Sequence, residues 1–231
     1  MEFEEFVLAA VTADLDGEPA AREHADAVEF RMDLASNGLS ALSSYEGNLP
    51  LLVTNRVEWE GGEAADDPAR VAALAQAVQQ PAVEAIDVEL AAVRSGDCSD
   101  LLAHAREHGV AVVVSVHDFE GTPEQETLES LLSMAAEYGD VGKLAVTAET
   151  TEDVLALLAA TRSVTAAGKQ VATMAMGEVG RHSRAVAPLY GSRIGYAPLD
   201  PAEATAPGQY DLATLRGLVD VLSPDSGSFT L

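Results

Sequence analysis

Short β-rich apolar runs alternate along the whole chain with longer runs whose apolar positions recur at helical spacing. The β-type runs are residues 6–14, 28–34, 49–56, 83–90, 110–119, 142–147, 170–176 and 193–198. Helical patterning is clearest over 67–80, 99–108, 123–138, 151–160 and 212–222. Helix-start signals fall where they should: Asp67-Pro68, Thr122-Pro123, and Thr150 ahead of Glu152. Eight such pairs in 231 residues come to about 29 residues each, the spacing of βα repeats. The pattern predicts α/β architecture, a (β/α)8 barrel, over an open doubly wound sheet. The turn after the first strand, Ala13-Asp14-Leu15-Asp16-Gly17, lacks the G-x-G-x-x-G that such a sheet often carries. With no linker, low-complexity segment or shift in composition, residues 1–231 read as a single domain.

Composition narrows the choice of partners. Thirteen basic residues face 38 acidic ones, a formal charge of −25, so nucleic acid and anionic membrane surfaces would be repelled. Hydrophobic residues reach 48%, enough for a sizeable core. Only Lys143 and Lys169 are lysines. An acidic, lysine-poor surface suits molar salt, where a Debye length of roughly 3 Å screens the repulsion, and marks the sequence as halophile-type. Cys98 is the single cysteine, so no internal disulfide or cysteine-cluster metal site is expected. The longest apolar run, 110–116, has strand length, and the acidic N-terminus is unlike a secretory signal, so the expected location is the cytoplasm.

In a barrel the chemistry sits at the C-terminal strand ends, where polar residues gather here. Strand two presents Glu29, Arg31 and Asp33 on one face, which reads as a ligand-binding edge or as a rim salt bridge. Strand three ends at Arg56, followed by Glu58, Glu60, Gly61 and Gly62; the arginine could grip a carboxylate, or the loop is simply solvated. Asp87 and Glu89 on strand four could tune a neighbouring cation or pair with Arg31 or Arg56.

Ser115 and His117 share a face of strand five, and an imidazole at a barrel mouth suits proton transfer, the alternative being a structural histidine. His24, His104, His108 and His182 fall in helical or loop segments. Lys143 lies inside apolar strand six, where a charged amine is costly unless paired; a neutral amine there could attack a carbonyl, and snorkelling out is the other reading. Lys169, beside Gly168, reads as a turn residue. Loops after strands seven and eight supply Arg184, Thr205 and Gln209 as cation, hydroxyl and amide among small residues, and neither loop is a P-loop.

Taken in order, Glu29-Phe-Arg31, Arg56 with Glu60-Gly-Gly, Asp87-Val-Glu89, Ser115-Val-His117-Asp-Phe119, Lys143-Leu-Ala145, Met176-Gly with Ser183-Arg184, Tyr190-Gly-Ser192 and Ala206-Pro-Gly-Gln209 resemble type I 3-dehydroquinate dehydratase. The resemblance covers about four-fifths of the chain. It implies a (β/α)8 barrel, usually a homodimer, with no metal or organic cofactor, that dehydrates 3-dehydroquinate to 3-dehydroshikimate in the shikimate pathway. On it, Lys143 would form an imine with the substrate ketone, His117 would move protons and Glu60 would support the histidine. Glu29, Arg31, Arg56, Arg184, Thr205 and Gln209 match substrate-binding positions. Thr205 keeps a hydroxyl where many relatives carry serine, and strand one offers no match. A class I aldolase shares barrel and lysine but calls for a phosphate loop, while a non-catalytic barrel needs neither the lysine nor the histidine.

Overall fold

A computed structural model describes residues 1–200, 202, 206 and 208–223. Its strands are β1 (Val7–Thr12), β2 (Ala27–Arg31), β3 (Leu51–Thr54), β4 (Val83–Glu89), β5 (Ala111–Asp118), β6 (Val141–Thr147), β7 (Val171–Met176) and β8 (Ile194–Pro198), each inside or within a residue of its expected span. They form one parallel sheet in the order β7-β6-β5-β4-β3-β2-β1-β8. The ends meet: Val171 bridges Ser192, its carbonyl accepts from Arg193 N at 2.7 Å, and Ser192 Oγ accepts from Thr173 N at 3.0 Å. A serine side chain thus replaces one rung of the closing ladder of a (β/α)8 barrel.

The helices are α1 (Gly38–Ser43), α2 (Pro68–Ala77), α3 (Leu90–Ser95), α4 (Ser99–Glu107), α5 (Gln125–Tyr138), α6 (Thr151–Ala166), α7 (Gly177–Gly180), α8 (Ser183–Val186) and α9 (Leu212–Leu222). The expectation of eight full strand–helix pairs needs correction. After β1 there is only a 3-10 stretch, Leu15–Ala20, because Gly17 and Pro19 oppose an α-helix interior. After β7, two single-turn helices and a 3-10 turn, Ala187–Tyr190, take the place of one long helix. Asp67 caps α2 by accepting from Arg70 N, and Thr150 with Asp153 forms a capping box on α6. Thr122 does not cap α5: its hydroxyl donates to Thr147 O at 2.7 Å, and the helix begins at Gln125.

Parallel strands covered by helices are apolar on their outer face, and Phe30, Ile86, Leu74 and Leu101 pack there, fully or almost fully buried. Inside the barrel, Phe3, Leu52, Ala85, Val113, Val141, Ala172 and Ile194 form an apolar plug. Toward the C-terminal strand ends the inward positions turn polar, with Glu29, Thr54, Asp87, Ser115 and Lys143 all buried. Charges in that position are tolerable only when paired. No helix among the described residues is long and apolar enough to cross a membrane.

Candidate active site

Register on β6 sets Lys143 beside Ser115 of β5, aimed inward. Nζ donates to Asp87 Oδ2 at 3.0 Å, lies 3.9 Å from Glu29 Oε1, and stands 4.2 Å from the centroid of the Tyr196 ring. The amine therefore does not snorkel to solvent; it is held between two carboxylates and an aromatic face. Asp87 Oδ1 accepts from Arg56 Nη2 at 2.6 Å and from Ser115 Oγ at 2.5 Å. Burial would raise this carboxyl, but the Arg56 and Lys143 charges prevail and hold it well below the usual carboxylate range.

Arg56, just past β3, is buried. Its Nη1 lies 3.0 Å from Glu89 Oε1 as an ion pair off the N–H axis, and 4.0 Å from Glu60 Oε1. Burial works against its charge, yet Asp87, Glu89 and Glu60 raise its proton affinity above the ordinary value. Of the two partners open to Asp87 and Glu89, then, both choose Arg56. Arg31 instead forks onto Asp33 at 2.9 and 2.6 Å, the rim salt bridge, while Glu29 accepts from Thr54 Oγ1 at 2.7 Å and faces the lysine.

His117 Nδ1 meets Glu60 Oε1 at 2.8 Å. Glu60 ends a 3-10 turn, Glu58–Glu60, that reverses at Gly61 with φ 81°; a Cβ on Gly61 would sit 2.5 Å from Phe119. Burial pushes the Glu60 carboxyl up to about 7. Burial, with the Arg56 and Lys143 charges, drives His117 well below its usual range. Both environments thus disfavour the charged form: the imidazole is neutral, and the Glu60 carboxyl takes up its proton near pH 7. A carboxylate can only accept, so Nδ1 carries the proton when Glu60 is ionised and Nε2 is left as a base.

Arg184, on α8, differs from the other cations. It is 5% exposed, Nε and Nη2 have no hydrogen-bond partner, and no carboxylate pairs with it among the described residues. Burial draws its pKa down to about 10. Gln209 lines the same cavity, where its Oε1 accepts from Ala206 N at 3.2 Å. Thr205 lies outside the described residues. Glu29, Arg31, Arg56, Glu60, His117, Lys143, Arg184 and Gln209 therefore all line one cavity, with Met174, Met176 and Phe119 as apolar walls.

Of the contacts of the lysine, Asp87 is the cation-tuning carboxylate that strand four offers, whereas sequence reasoning misses Tyr196. Asp87 carried a visible signal in its alternation with Glu89; Tyr196 carried only its inward register on β8. A larger groove, about 960 Å³, lies on the flank among α2, α3 and α4, beside Trp59, Arg70 and His104, and holds none of the expected site residues. His104 on α4 and His108 at its C-cap have ring centroids 4.2 Å apart with the planes tilted by 54°, but no group of three or more potential metal ligands exists among the described residues.

By fold and by site the chain is a (β/α)8-barrel enzyme with its functional groups at the C-terminal mouth. Residues 8–226 match the type I 3-dehydroquinase family, and the chain belongs to that family. The 3-dehydroquinate dehydratase of Haloarcula marismortui is 58% identical over 229 residues, 98% of this chain and 100% of that protein. That of Halobacterium salinarum is 52% identical over 222 residues, covering 95% and 98%. The crystal structure of 3-dehydroquinate dehydratase from Geobacillus kaustophilus superposes with a TM-score of 0.85 at 30% identity, over 95% of this chain and 91% of that one.

Proposed function

We propose that this enzyme is a hydro-lyase of the shikimate pathway that converts 3-dehydroquinate to 3-dehydroshikimate through an imine on Lys143. The carrying observation is the buried Lys143 amine, set among Asp87, Glu29 and the Tyr196 ring in the cavity that also holds His117. The names of the relatives at 58% and 52% identity support the choice of substrate.

In this reading Lys143 gives up one proton as its amine adds to the ring ketone, and that proton leaves with the ketone oxygen as water, so that a protonated imine remains. His117 Nε2 takes the proton from the adjacent carbon, and the electron pair moves into the imine to give an enamine. The enamine then expels the β-hydroxyl, which leaves as water with the proton from His117, and hydrolysis of the imine frees product and Lys143. Glu60 keeps the histidine in the productive tautomer. Arg184, a buried cation with no carboxylate partner among the described residues, takes the substrate carboxylate; Glu29, Arg31, Arg56, Thr205 and Gln209 hold the rest of the ligand. The imine is itself the electron sink, so the reading requires no cofactor or metal. It also includes a homodimer, as the family resemblance implies, and a cytoplasmic location.

Adding 3-dehydroquinate should produce the ultraviolet absorbance of a conjugated enone. Borohydride added during turnover should leave one adduct, mapped by mass spectrometry to Lys143 and absent from Lys143→Ala. An adduct on Lys169, or no enone at all, would refute the assignment.

A further inference from the structure

The charges around Lys143 do not stop at the cavity wall. Beyond Asp87 and Arg56, the second carboxylate oxygen of Glu89 accepts from Arg70 Nη1 at 2.8 Å. Signs alternate without a gap through Arg70, Glu89, Arg56, Asp87 and Lys143, and all five residues are buried. Arg70 belongs to α2, in the outer helical layer, and does not line the cavity. Its own position is fixed twice: Nη1 also donates to Asn55 O at 3.2 Å, and Asn55 Nδ2 donates to Arg70 O at 3.2 Å.

A buried carboxylate is tolerated when its oxygens are engaged, and Glu89 has Arg70 on one oxygen and Arg56 with Val57 N on the other. Without Arg70, Glu89 would lean its full charge on Arg56. That guanidinium is shared with Asp87, which holds the lysine, and it approaches Glu60, which holds His117.

We propose that Arg70 is a positioning residue for the reaction: through Glu89 it keeps Arg56 centred between Asp87 and Glu60, and so sets the field in which Glu60 and His117 exchange their proton. The inference rests on the function proposed above. The charges facing that pair are Arg31 from β2, Arg56 beyond β3, Asp87 and Glu89 from β4 and Lys143 from β6. Removing the charge of Arg70 makes this surrounding set more negative by one, so the pair grips its proton more tightly. Removing the charge of Glu89 does the opposite.

The test follows enone formation against pH in molar salt for the full chain and its variants. Arg70→Met should move the acid limb of kcat/KM upward by about half a pH unit or more. Displacement of Arg56 should also lower kcat/KM about tenfold or more, and Arg70→Lys should recover most of both effects. Glu89→Gln should move the limb downward, and Arg70→Met combined with Glu89→Gln should fall between the two. If Arg70→Met does not fold, the pair Glu89→Gln and double variant reads the same charge, and the double variant must then lie at the higher pH. A limb that Arg70→Met leaves in place, or that both single variants move the same way, overturns the proposal. Absence of turnover in the unsubstituted enzyme would instead overturn the function on which it rests.

Discussion

Replacing Arg184 by methionine should stabilise the empty fold and weaken the substrate, two effects of opposite sign from one side chain. The guanidinium is 5% exposed with Nε and Nη2 unbonded among the described residues, and burial alone draws its pKa down to about 10. At about 1.4 kcal/mol per pH unit, that depression corresponds to a penalty of up to about 3 kcal/mol on the charged form. Methionine has similar length and no charge, so part of this penalty is relieved. A barrel of this size gains about 2–4 °C in Tm for each kcal/mol. On the ligand side, a charge-assisted hydrogen bond left unmade costs about 1.5–3 kcal/mol, which should raise KM about tenfold to a hundredfold. Arg184→Lys keeps the penalty but loses the planar fork, so it should weaken the substrate without raising Tm. Thermal denaturation in molar salt and initial rates measure the two effects separately. A methionine variant that melts below the parent with an unchanged KM would show that Arg184 is a structural cation and does not hold the carboxylate.

His117→Ala should retain the borohydride adduct on Lys143 while turnover falls about 10²- to 10⁴-fold, the usual worth of a general acid–base; loss of the adduct as well would show that imine formation itself requires the histidine. Because Glu60 is pushed up to about 7 while His117 is pushed down, the first proton taken up as pH falls should land on the pair near pH 7 and disable the base at Nε2. The acid limb of kcat/KM should therefore lie near pH 7 and move lower in Glu60→Gln, and a pH profile with the same limb in both proteins would contradict this. Diluting salt from molar to about 0.1 M lengthens the Debye length from roughly 3 to 10 Å, so with a net charge of −25 both Tm and activity should drop; equal stability in dilute buffer would refute the salt argument.

Much of the architecture is local in origin, which is why the linear pattern was enough to see it. Apolar runs bounded by polar turns placed all eight strands, and the Asp67 and Thr150 caps act on backbone three residues away. The same period-two alternation put Ser115 and His117, or Glu29 and Arg31, on one face before any partner was known. Pairing was another matter, because it depends on which strand ends the barrel brings within 3 Å. Arg31 had four acidic candidates, Glu29, Asp33, Asp87 and Glu89, and took Asp33, two residues along its own chain, while Asp87 crossed to Arg56, Ser115 and Lys143. Tyr196 reaches the lysine only because closure at Ser192 and Val171 sets β8 beside β7 and its ring across from β6. Protonation was decided last and furthest from sequence: Glu60 and Asp87 are both buried carboxyls. Asp87, in direct contact with two cations, stays ionised, and Glu60, with Arg56 at 4.0 Å, drifts to about 7. Sequence carries the inventory of charged groups and the face each occupies; the dielectric and the distances that tell one carboxyl from another exist only once the barrel has closed around them.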